Sequence, residues 1–76
     1  MPTYNVSVDG GHFVKMEAKT LGALAKDIAA DHSIPNRNPD HQLQVSKTLK
    51  HLLAACRRGH RAIVIKQGNK IIAQED

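Results

Sequence analysis

Between His41 and Gln74 the chain has no aspartate or glutamate, yet this stretch holds seven of the eleven basic residues: Lys47, Lys50, Arg57, Arg58, Arg61, Lys66 and Lys70. Residues 1–40 carry four Lys/Arg against five Asp/Glu and residues 41–76 carry seven against two, so the balance moves from −1 to +5. A surface of one charge sign attracts the other, and the basic half points to an anionic partner. Tryptophan is absent and the only aromatics are Tyr4 and Phe13, both outside the basic half. Readers of single-stranded nucleic acid stack bases on aromatic platforms, so that mode is disfavoured. The single cysteine, Cys56, excludes an internal disulfide and fits a reducing compartment. No apolar run approaches the roughly 18 residues needed to span a bilayer. The N-terminal Met-Pro-Thr-Tyr-Asn lacks the basic and apolar regions of a secretory leader. A cytoplasmic, non-membrane protein is expected.

Seventy-six residues suffice for one domain. At that size a hydrophobic core supplies only about 3–5 kcal/mol, so dimerisation is a natural supplement. Burial falls to Val, Ile, Leu, Ala and Met.

Tyr4, Val6 and Val8 alternate with polar residues, Asp9-Gly10-Gly11 interrupts, and Val14, Met16 and Ala18 resume the alternation. This pattern predicts a β-hairpin, because Asp-Gly supplies the positive φ of a tight turn. Thr20 is placed to cap a helix in which Leu21, Leu24, Ala25 and Ile28 share one face, ending near His32. Ser33 to Asp40, with two prolines and two asparagines, reads as a loop. It is too long for the turn of a helix-turn-helix. Gln42 to Val45 is ambiguous: Leu43 and Val45 alternate like a short strand before an N-cap at Ser46, or Asp40 caps an earlier helix start. Val45, Leu49, Leu52, Leu53 and Cys56 then keep helical spacing, and Gly59 is expected to be the left-handed residue that stops the helix. Ala62 to Ile65 is continuously apolar and reads as the central strand. Gly68-Asn69 turns it into Ile71 to Ala73, a second hairpin.

The fold class is therefore α+β, a two-layer sandwich in ββ-α-α-ββ order with two helices on one face of a mostly antiparallel four-stranded sheet. Tyr4 to Val8 and Ile71 to Gln74 are the expected edge strands, open to β-augmentation or homodimerisation.

Turning the second helix by about 100° per residue collects Lys47, Lys50, His51 and Arg58 opposite the apolar stripe, with Ala54 at their centre. A small residue ringed by cations permits close approach to phosphates. Arg57, Arg58 and Arg61 form the densest basic patch. The helix-end dipole accounts for Arg57 and partly for Arg58, but poorly for Arg61. The candidate binding residues are Lys47, Lys50, His51, Arg57, Arg58 and Arg61.

Catalytic, cofactor and metal sites are not expected. His12, His32, His41, His51 and His60 do not pair at ligand spacing, there is no Cys-x-x-Cys, and Cys56 lies on the apolar stripe. Asp27 and Asp31 are neighbours on one helix without a visible acid-base partner. The glycines lack the strand-loop-helix setting of a phosphate cradle. Two functions remain. One is a non-enzymatic, regulatory module docking on nucleic acid or nucleoprotein, as duplex or structured RNA held through its backbone. The other is a small protein-binding inhibitor or adaptor of phage or plasmid type, acting on an acidic surface of a host complex.

Overall fold

A computed structural model describes residues 1–34 and 49–76. Six elements follow one another: β1 (Thr3–Val8), β2 (Val14–Glu17), α1 (Leu21–Asp31), α2 (Leu49–Arg58), β3 (Ile63–Gln67) and β4 (Lys70–Glu75). The four strands form one antiparallel sheet in the order β2-β1-β3-β4. The expected ββ-α-α-ββ sandwich is thus the observed fold. The two readings of 42–45, with their caps at Ser46 or Asp40, lie outside the described residues.

Asp9 and Gly10 both have positive φ (56° and 74°), and Gly11 N–H donates to the Val8 carbonyl at 3.1 Å. Two consecutive positive-φ residues define a type I′ turn, whose twist matches that of the strands. The turn alone would align Val8 with Gly11, whereas the ladder pairs Val6 with Val14. The second strand therefore carries one extra residue. The buried Ser7 hydroxyl, donating to the Gly11 carbonyl at 2.8 Å, holds this irregular segment. In the second hairpin Gln67 pairs with Lys70 across Gly68-Asn69, and only Gly68 has positive φ (63°), as a type II′ turn requires.

Thr20 caps α1 as expected, its Oγ1 accepting from Ala23 N–H at 3.1 Å. The helix closes with Ser33 at φ 52°, Ser33 N–H on the Ala30 carbonyl and Ile34 N–H on the Ala29 carbonyl. These are the paired bonds of a Schellman motif, and they fold Ile34 into the core.

α2 ends in the same way, but one residue later than expected. His60 N–H bonds to the Arg57 carbonyl and Arg61 N–H to the Cys56 carbonyl, while the positive φ (55°) belongs to His60. Gly59 is the half-helical cap before it, and is not left-handed. Burial of Cys56 and the anchoring of Arg61 set this register, so a histidine occupies the conformation that glycine usually takes.

One side of the sheet faces the helices. Val6 pairs with Ile65, Val8 with Ile63 and Tyr4 with Met16, so their side chains share that face. With Leu24, Ala25, Ile28, Leu52, Cys56 and Ala73 they form one core. Leu24, Ile28, Leu52, Ile63 and Ile65 are the largest fully buried aliphatic side chains, each contributing about 1.5–3 kcal/mol.

β3 is interior, as its apolar run predicts. β1 is interior too, pairing with both β2 and β3, which corrects its assignment to an edge. The reason lies in the two strands of the first hairpin. Every residue of β1 is buried or half-buried, whereas β2 is short and mostly exposed, so the hairpin docks through β1. β4 is the edge that was expected, and a bulge interrupts its ladder opposite Ile65/Lys66.

Candidate functional site

Leu52, Ala55 and Cys56 turn α2 onto the core, which leaves Lys50, His51, Arg57 and Arg58 exposed. The fold divides these cations. Lys50 and Arg57 stand on the side of β4, and His51 and Arg58 lie further round the helix. Between α2 and β4 runs an open groove of about 460 Å³ whose apolar wall is Leu49, Leu53, Ala54 and Ile72, with Lys50, Arg57 and Glu75 at its margin. Ala54, central to the cationic face on the helical wheel, is half-buried in that groove.

Arg57 Nε donates to Glu75 Oε1 at 2.7 Å, tying the end of α2 to the end of β4. Arg61 is engaged more fully. Its Nε and Nη2 both reach Asp9 Oδ2, at 3.2 and 2.8 Å, and its Nη1 donates to the His32 carbonyl at 2.7 Å. α1 has no basic residue in its own last turn, so Arg61 supplies the cation its C-terminal dipole favours. The Arg61 hydrogen bonds hold the Asp9 carboxyl below its usual pKa, and the same contact pushes the guanidinium's already high pKa further up. Two of the six candidate residues are therefore committed to contacts within the domain.

Lys50 and Arg58 have no ion-pair partner among the described residues. They stand about 12 Å apart along the helix axis, far enough to meet separate phosphates. No acidic residue lies on α2 to compete for them. His51 is exposed beside them, and Lys47 lies outside the described residues. The fold leaves Lys50 at the margin of the α2–β4 groove and His51 with Arg58 further round the exposed surface of α2, and it directs Arg61 away to the α1–hairpin seam.

Sequence reasoning placed Phe13 in the first hairpin but missed its neighbour. Phe13 is distant from the basic half in sequence, but the pairing of β1 with both β2 and β3 brings it under Lys66, whose Nζ is 4.7 Å from the ring centroid. Period-2 alternation puts Lys66 on the sheet face away from the helices, which would have identified the neighbourhood had β1 been recognised as interior.

Cys56 is fully buried, and desolvation raises its thiol pKa, as fits a core residue. Among the described residues no group of three His, Cys, Asp or Glu is arranged to hold a metal ion. No helix among them is long and apolar enough to cross a membrane. Comparison with known proteins gives no match to a family model, a curated protein or a solved structure.

Proposed function

We propose that this protein is a small non-enzymatic binding module that docks on a polyanion, nucleic acid or nucleoprotein, through the exposed face of α2. The observation that carries the reading is that Lys50 and Arg58 stand exposed on a helix without acids, while Arg57 and Arg61 have their own carboxylates. Cations lacking an internal partner gain most from phosphates, because binding releases condensed counterions from the nucleic acid. Contacts of this kind position a backbone and carry little sequence preference. Fluorescence anisotropy with labelled duplex DNA and RNA at low and moderate salt tests the proposal. Binding that weakens steeply with salt is expected, and no binding at low salt overturns it.

The groove between α2 and β4 favours a second reading. Its apolar wall and cationic margin suit an acidic, amphipathic protein segment, as a small inhibitor or adaptor would bind. Failure to bind duplexes together with capture of an acidic amphipathic peptide shifts support to this reading.

A further inference from the structure

Among the described residues β2 ends the sheet on one side, and its outer edge is complementary to itself. Ala18 N–H donates to the Pro2 carbonyl, and Asp9 N–H to the Ala62 carbonyl. Hydrogen bonds alternate along antiparallel strands, so the odd residues of β1 bond to β3 and its even residues bond to β2. Tyr4 pairs with Met16 and Val6 with Val14, which turns the backbone groups of Met16 and Val14 inward. Those of Lys15 and Glu17 point outward from the sheet. Both side chains are exposed on the face away from the helices.

We infer that two copies of this chain associate by antiparallel pairing of β2 with β2 across a twofold axis at Met16, continuing the sheet through both subunits. In this register Lys15 of each copy lies opposite Glu17 of the other. Each such pair exchanges both backbone N–H···O bonds and sets opposite charges side by side on the open face. The symmetric registers one residue to either side would set Lys15 against Lys15 or Glu17 against Glu17, which like-charge repulsion disfavours. On the helix side Met16 meets its own copy, and Val14, 57% exposed in the single chain, faces Ala18.

Charged residues on an edge strand often serve to block pairing. Here their alternating sign instead selects one register. The other edge suits pairing less, because the bulge bends β4 and interrupts its row of free backbone groups. A four-residue strand buries less than a standard interface, so the association is weak and concentration-dependent.

Sedimentation equilibrium over a range reaching millimolar concentration tests the inference. The apparent mass is expected to rise from 8.3 kDa towards twice that value. Lys15→Glu or Glu17→Lys alone is expected to weaken association about tenfold or more, since each turns both attractive pairs into repulsive ones. The double exchange, Lys15→Glu with Glu17→Lys, restores it. In a Cys56→Ala background, Met16→Cys is expected to form an intermolecular disulfide, because residues in such a non-hydrogen-bonded pair have Cα atoms about 4.5 Å apart. A monomer at millimolar concentration overturns the inference. So does a dimer indifferent to both single reversals, or a Met16→Cys protein that does not cross-link under oxidation.

Discussion

Arg61 and Asp9, 52 residues apart in sequence, meet through two guanidinium nitrogens on one carboxylate oxygen. The contact locks the tight turn of the first hairpin to the end of α2, and the third arm of Arg61, on the His32 carbonyl, draws in the end of α1. One side chain thus joins three elements at one corner of the domain.

The first prediction is a pH dependence. The pKa of Asp9 is lower in the folded state than in the unfolded chain, so its contribution to stability is complete above the unfolded value, about 3.9. It is lost as pH falls through the folded value. Asp9→Asn is expected to melt at a lower temperature than the parent at neutral pH, with the difference shrinking below about pH 4. Thermal denaturation followed by circular dichroism across this range reads it, and a difference independent of pH contradicts the assignment.

A second prediction concerns the left-handed residue after α2. A non-glycine residue at φ 55° carries a conformational cost, so His60→Gly is expected to stabilise the domain by about 0.5–1 kcal/mol after allowing for the freer unfolded chain. For a domain of this size that raises the melting temperature by a few degrees. Gly59→Ala is expected to be tolerated, because its φ is not positive and an added Cβ would lie 3.4 Å from the Ala55 carbonyl oxygen, an ordinary contact. The reverse pattern would return the left-handed position to Gly59.

A third follows from the burial of Cys56. Its thiol is expected to resist alkylation in the native protein at neutral pH and to react fully in denaturant. Mass spectrometry after brief iodoacetamide treatment distinguishes the two, and rapid native labelling would contradict the packing of α2.

The fourth separates docking cations from structural ones. Lys50→Gln and Arg58→Gln are each expected to weaken duplex binding and lower the slope of log K against log salt by about 0.9, as loss of one phosphate contact does. Arg61→Gln is expected to leave that slope unchanged while lowering the melting temperature. Equal slope changes in all three proteins would place Arg61 at the phosphate surface instead.

Much of this architecture is legible in local chemistry. Asp-Gly and Gly-Asn between apolar runs identify both hairpins, Thr20 marks the start of α1, and the spacing of Leu49, Leu52 and Cys56 identifies the buried face of α2. Each signal arises within a few residues. What escapes such reasoning depends on pairings between distant segments. The interior place of β1 comes from its ladder with β3, which no turn residue announces. The same ladder brings Phe13 under Lys66. Asp9 reads as a turn residue, and its role as the partner of Arg61 appears only when α2 ends beside it. His60 in place of Gly59 is a one-residue error of a different kind, set by which carbonyls the chain bonds as it leaves the helix.

The bulge in β4 bears on how far assembly proceeds. A sheet with two flat free edges can add subunits at both and grow into a fibre. Pairing through β2 uses the same edge on both partners and closes on itself, leaving only the kinked β4 edges at the extremities. The irregularity opposite Ile65/Lys66 thereby acts as a terminator, so that association through this sheet stops at two copies.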